Sequence, residues 1–147
     1  MNTQQIIDIL LVEDREEDAE LTMMALKNYR LANNIKWVKD GQEALDYLFA
    51  TADKMVAPIN RPKIILLDLK MPKVDGIEVL RAIRNDPRTK TIPVIILTTS
   101  REEKDVVDAY NLHANSYIVK PVGFDKFTES VKEIGLYWLL LNEPPVH

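Results

Sequence analysis

Five residues of this chain combine a reactive type with a telling place: Glu13, Asp14, Asp68, Thr98 and Lys120. Each follows directly on a short apolar run. Ile6 to Val12 leads into Glu13-Asp14, Ile64 to Leu67 into Asp68, Pro93 to Leu97 into Thr98, and Ser116 to Val119 into Lys120. A lone ionised carboxylate is expensive to bury. Three of them gathered at one place cannot all stay ionised without a cation. The set contains no His and no Cys, so the cation would be a hard one that prefers oxygen, Mg²⁺ or Mn²⁺. Such an ion keeps positions open for waters and phosphate oxygens. The Lys120 ammonium and the Thr98 hydroxyl add a positive charge and a donor, which suit a phosphoryl group. A carboxylate is a competent nucleophile toward phosphorus. Together these residues support Mg²⁺-assisted phosphorylation of an aspartate.

Taken singly, each has a plainer reading. Glu13-Asp14 can be a helix cap, Asp68 and Thr98 turn residues, and Lys120 a surface charge. The argument for chemistry is their joint placement, and that depends on the elements that carry them. Ile6–Val12 and Ile64–Leu67 read as strands buried on both faces, and Pro72 stops further pairing after the second of them. A helix is expected from about Arg15 to Leu31. Its acidic first turn (Glu16, Glu17, Asp18) suits the positive end of the helix dipole, and Leu21, Ala25, Leu26 and Tyr29 are expected on its inner face. Ile35–Val38 is a short strand. Asp40-Gly41 starts a helix with Ala44, Leu45, Leu48 and Phe49 at helical spacing. After the irregular stretch Thr51–Pro62 and the Asp68 strand, Asp75-Gly76 opens a helix with Ile77, Leu80 and Ile83 on one face, closed by Asp86-Pro87. Pro93–Leu97 is the fourth strand, Arg101–Leu112 a helix, Ser116–Val119 the fifth strand. A last helix runs from Gly123 or Phe124 to Leu141.

Strand and helix alternate five times, the pattern of an α/β fold: a parallel sheet with helices on both faces. The flavodoxin-like, doubly wound order 2-1-3-4-5 is the expected topology. In that order strands one, three, four and five are neighbours, so all five residues face one crevice at the carboxyl edge.

The 147 residues make one domain by size, residues 1–147, with a core of about 6–141 and a tail at 142–147. An apolar content of 46% supports a core, and 29% charged residues is ordinary for a water-soluble chain. A net charge of −4 gives no electrostatic case for nucleic acid. The absence of cysteine excludes disulfides and thiolate metal sites and suits a cytoplasmic location. The polar start Met1–Gln5 lacks a cationic segment followed by an apolar one and no apolar run reaches membrane-spanning length, so neither a signal peptide nor a membrane partner is expected.

The acid pair in LLVED, the strand ILLDLKMP followed by DG, the LTTS turn and the YIVKP turn resemble, in order and spacing, the receiver domain of two-component response regulators. The resemblance covers about Ile7 to Leu141. It implies a switch in a phosphorelay: an Mg²⁺-dependent transfer from the phosphohistidine of a sensor histidine kinase to Asp68, and slow release of phosphate by water. It implies that Asp14, Asp68 and the backbone carbonyl of Lys70 bind Mg²⁺ with help from Glu13, and that Thr98 and Lys120 grip the phosphoryl oxygens. Thr98 and Tyr117 match the family's switch pair, which remodels the face of the fourth helix, fifth strand and fifth helix; Tyr117 is otherwise a half-buried aromatic. A cis Lys120-Pro121 peptide is also implied. The acid pair is Glu-Asp where Asp-Asp is commoner. Lys70 is a long cation beside the acceptor, and His113 reads as a loop residue.

LLVED, the long segment before the third strand, PVIILTTS and a last helix containing Trp138 further resemble the single-domain regulators that serve cyanobacterial-type phytochrome kinases. No output domain is expected after the last helix, and the protein is expected to act through its own surface. Apolar residues surround the end of that helix (Leu136, Tyr137, Leu139, Leu140, Leu141), and an exposed patch of that kind marks an interface. A homodimer is expected through Val107, Tyr110, Tyr117, Phe127, Tyr137 and Leu140; the alternative is that the leucines fold back on their own core.

Three rivals are separable. A phosphatase of the haloacid dehalogenase type needs an acid two residues after its nucleophile, and here that position is Lys70. A mononucleotide binder of flavodoxin type would meet Glu-Asp-Arg-Glu-Glu after the first strand, which repels phosphate. A receiver-like docking module that is never phosphorylated would be expected to lose an acid, the acceptor or the Lys, and this chain keeps them all.

Overall fold

Strands without polar residues have two faces to bury, so they belong inside a sheet that is covered on both sides. The computed structural model, which describes residues 9–28, 34–49, 61–69, 71, 74–98, 111–112, 114 and 116–119, has this arrangement. The elements run β1 (Ile9–Val12), α1 (Glu16–Asn28), β2 (Ile35–Val38), α2 (Gly41–Phe49), β3 (Ile64–Asp68), α3 (Gly76–Asn85), β4 (Val94–Thr98) and β5 (Ser116–Val119). The five strands form one sheet in the order β2-β1-β3-β4-β5, and every pairing is parallel, as the alternation of elements required. Every residue of β1 and β3 is buried. The strand order reverses between β1 and β3, where ligands bind in open α/β sheets.

Successive side chains on a strand point to opposite faces, and this splits the core in two. Leu10, Val12, Ile65, Leu67, Val94 and Ile96 pack with Ala44 and Leu48 of α2 and Val79, Leu80 and Ile83 of α3. Ile9, Leu11, Ile64, Leu66, Ile95 and Leu97 pack with Ala19 and Leu26 of α1. By the same parity Glu13 and Asp68 belong to the α1 side.

The buried stripe of α1 is Ala19, Thr22 and Leu26, with Met23 partly buried beside it, and Leu21 is exposed. This corrects the expected inner face: Leu26 holds, Leu21 does not. The polar Thr22 sits inside because its hydroxyl donates to the Asp18 carbonyl one turn back at 2.9 Å. With its one donor satisfied, its methyl can be buried at little cost. Tyr29 and the side chain of Ala25 lie outside what the structure describes.

Caps set the starts of the other helices. Asp40 accepts from Glu43 N at 2.8 Å and its carbonyl accepts from Ala44 N. Asp75 accepts from Glu78 N at 3.0 Å. Both are short acids at the N-cap, where they satisfy amides that no helical carbonyl reaches. After α3, Thr89 is fully buried and donates to the Ile83 carbonyl at 2.7 Å. Val79, which the reading of the α3 face passed over, is fully buried. The first eight residues, most of Thr51–Pro62, the last helix and the Arg101–Leu112 helix, apart from Asn111 and Leu112, lie outside the described residues.

One glycine fixes how close α3 comes to β3. A Cβ on Gly76 would lie 2.3 Å from the Asp68 carbonyl oxygen and 2.6 Å from Leu69 Cα. Gly76 N donates to the Leu69 carbonyl at 2.8 Å, an approach that a side chain would prevent.

Three outcomes follow from this packing. Leu26→Ala is expected to cost about 2–5 kcal/mol of stability and Leu21→Ala less than about 0.5 kcal/mol, read by urea unfolding. Gly76→Ala is expected to cost about 1–3 kcal/mol by the same measurement, since the overlap is with backbone. The third concerns Asp86, whose carboxylate accepts from the Arg88 guanidinium (Nη2 at 2.7 Å, Nε at 3.0 Å) and from Arg88 N. The guanidinium bonds and then the backbone bond lower its pKa from 3.8 to about 2. A lowered folded value means that the pair's contribution is present above about pH 4 and is lost as pH falls through about 2. Arg88→Ala should return the Asp86 titration, followed by NMR, toward 3.8.

Candidate functional site

The site begins where β1 leaves the sheet. In the β1–β3 register Val12 lies beside Leu67, so the next position places Glu13 alongside Asp68. Glu13 is fully buried, Asp68 is 5% exposed, and Asp14 is exposed. One carboxylate oxygen from each of Glu13, Asp14 and Asp68 lies within 4.8 Å of the other two. The sequence expectation that the acid pair and the third-strand aspartate meet is thus met by position.

Hydrogen bonds hold this turn on several sides. Glu13 N donates to the Val38 carbonyl at 3.1 Å, the last rung between β1 and β2. The Glu13 carbonyl accepts from Trp37 Nε1 at 2.8 Å. The Glu13 carboxylate accepts from Arg15 N at 3.1 Å, so the cap-like role and the cluster role coexist in one side chain. Arg15 in turn supplies the first helical carbonyl, to Ala19 N at 2.9 Å, and its Nε stands 3.5 Å from Asp18 Oδ2. At 66% side-chain exposure for Arg15, that pair adds little to stability.

Asp68 is held from the other side. Leu69 N donates to the Leu97 carbonyl of β4 at 3.2 Å and the Leu69 carbonyl accepts from Gly76 N. The aspartate therefore ends a strand fixed between β1, β4 and the start of α3. Asp68 pairs in register with Leu97, and Thr98 is the next residue of β4, itself beside Val119 of β5. Tyr117 pairs with Ile96 within the sheet. Thr98 thus stands at the expected strand end, one position past Asp68's partner. Lys70, Lys120 and Pro121 lie outside the described residues, as do Val107, Tyr110, Phe127, Tyr137 and Leu140 of the expected dimer face.

The donor set fits a divalent cation. All three contributing groups are carboxylates, two of them withdrawn from water, and like charges this close repel unless a cation lies among them. Oxygen-only donors select a hard ion of the Mg²⁺ or Mn²⁺ kind.

Sequence reasoning missed two contributors. They are Trp37 of β2 and Gly76, which the sequence marks only as part of a helix start. An indole N–H at the end of an edge strand, where the ladder stops, was the available signal for the first. Nothing local signals the second, since the backbone it must clear is eight residues away.

Comparison with known proteins agrees with the geometry. Residues 9–132 match the family model described as the response regulator receiver domain. The "Probable methanogenesis regulatory protein FilR2" of Methanothrix harundinacea is 43% identical over 137 residues, covering 93% of this chain and 86% of its own. Response regulator Rcp1 of Synechocystis sp. is 40% identical over 131 residues, covering 89% and 88%. The Mn²⁺-bound form of response regulator Rcp1 superposes with a TM-score of 0.80 at 38% identity, covering 95% of this chain and 99% of that one. The phosphorylated cyanobacterial phytochrome response regulator RcpA superposes with a TM-score of 0.82 at 40% identity, covering 97% and 100%. Among the described residues no helix is long and apolar enough to cross a membrane. Sheet order, the acids at the β1 and β3 ends and a family match along most of the chain converge: this chain belongs to the response regulator receiver domain family, the phosphoacceptor modules of two-component signalling.

Proposed function

We propose that Asp68 is the phosphoacceptor of this receiver and that the group it accepts comes from a phosphohistidine on a sensor histidine kinase of the phytochrome type. The observation that carries the reading is the burial of Asp68 at the carboxyl end of the central strand, within 4.8 Å of the Glu13 and Asp14 oxygens. The likeness to RcpA supports the class of kinase.

An Asp68 oxygen attacks phosphorus in line. The new O–P bond forms as the N–P bond to imidazole breaks, and the electron pair returns to the imidazole nitrogen. Glu13, Asp14, Asp68 and the Lys70 carbonyl are the proposed holders of Mg²⁺. When bound, the ion neutralises charge on the phosphoryl oxygens. Thr98, at the end of β4, and Lys120, which follows β5 in sequence, are the proposed grips on the transferred group. Water later cleaves the acyl phosphate, giving inorganic phosphate and the free Asp68 carboxylate. Thr98 and Tyr117 are the proposed switch pair, with β5 in the face they remodel. A homodimer through Val107, Tyr110, Tyr117, Phe127, Tyr137 and Leu140 rests on the apolar sequence pattern, as does the reading of residues 1–147 as one domain.

Intact mass after incubation with acetyl phosphate and Mg²⁺ tests the acceptor. The wild type is expected to gain one phosphoryl group, about 80 Da, and Asp68→Asn none. A folded wild type that gains nothing would favour the docking-module reading. A gain retained in Asp68→Asn would move the acceptor elsewhere.

A further inference from the structure

β2 ends at Val38 because the chain is needed elsewhere at once. Lys39 N donates to Glu43 Oε1 at 2.8 Å and Asp40 caps α2. The β1–β2 ladder therefore stops after Glu13 N meets the Val38 carbonyl. The Glu13 carbonyl, one atom group further on, has run out of ladder. It sits between two of the acids proposed to hold the cation, where a loose peptide would let the pair swing. Trp37 donates to it through its indole at 2.8 Å, reaching over from 24 residues away. The indole is itself fixed. Its ring packs against the core formed by Ile9, Leu11, Ala19 and Leu26, and Lys39 Nζ lies 5.4 Å from the ring centroid.

We infer that Trp37 is a positioning residue for the metal site: its N–H sets the peptide that joins Glu13 to Asp14 and so the orientation of both carboxylates toward the cation. The inference rests on the reading that these acids and Asp68 hold a divalent ion. It adds a residue on the edge strand, outside the carboxylate cluster, whose contribution passes wholly through the main chain. A phenylalanine at this position keeps an aromatic ring and removes the indole N–H.

The full-length chain tests this with Mg²⁺ and Mn²⁺ as probes, by calorimetric titration, with thermal melting in EDTA as the control for folding. Trp37→Phe is expected to melt close to the wild type without metal yet to bind metal about 10-fold more weakly, near the lower end for groups that orient ligands from outside the coordination sphere. In acetyl phosphate labelling the Mg²⁺ concentration for half-maximal rate should rise by a similar factor, with the rate at saturating Mg²⁺ little changed. A purely structural role would lower the melting point and leave the metal affinity of the folded protein as it was. Equal affinity in Trp37→Phe and wild type overturns the inference. Absence of metal binding by the wild type overturns the metal reading and this one with it. Should Trp37→Phe fail to fold, Trp138→Phe leaves Trp37 as the sole indole. Its emission should then shift with the same midpoint as Mg²⁺ binding, and an emission blind to saturating Mg²⁺ overturns the inference.

Discussion

Keeping carboxylates charged at the edge of a desolvated sheet is the constraint on which the rest of this structure depends. Glu13 and Asp68 are nearly closed off from water, and Asp14 stands beside them at the surface. An arrangement of this kind is costly by itself. It is held because β1 and β3 are neighbours in register, both strands are buried on two faces, and neither can shift by one residue without turning its apolar side chains to the wrong layer. The same packing that stabilises the domain therefore fixes the spacing of the acids. Binding a cation is the natural relief of their repulsion, which ties metal affinity to the sheet itself.

The two layers divide the work. Among the described residues the α2 and α3 side carries one apolar cluster, and the α1 side carries another and, by side-chain parity, both buried acids. Glycine at position 76 joins the layers, since α3 starts hard against the Asp68 backbone only because no Cβ intervenes. Any displacement of α3 is thereby felt at the Asp68 peptide. If Asp68 is the phosphoacceptor proposed above, so direct a contact between β3 and a helix would carry a covalent change at the carboxylate into the surrounding structure.

Several backbone groups beside the acids have identified partners. The Glu13 amide goes to β2, its carbonyl to Trp37 and its carboxylate to Arg15 N, while the Leu69 amide and carbonyl go to β4 and α3. In the proposed phosphoryl transfer, a site held in this way has little reorganisation left to do. It also explains how a Glu can stand where Asp is commoner. Its longer side chain bends back to bond the amide of residue 15, keeping a carboxylate oxygen within the cluster.

Sequence by itself determined the elements, their order and the identity of the acids. Apolar runs of four or five residues ending in Glu13, Asp68 and Thr98 can hardly be anything but buried parallel strands, and alternating helices leave few topologies. Asp40, Asp75 and Asp86 marked helix ends because a short acid bonds its own neighbouring amides, a strictly local interaction. Tertiary structure decided what depends on partners distant in the chain. The α1 stripe runs through Thr22 rather than Leu21, since a hydroxyl bonded to its own helix can be buried and the helix rotation follows the packing surface, not the strongest hydrophobe. Trp37 reaches the Glu13 carbonyl only because β1 and β2 pair in one particular register. Gly76 is required only because α3 returns against Asp68. Propensity and period act over a few residues, whereas register, close approach and the pinning of a peptide arise only once the sheet has closed.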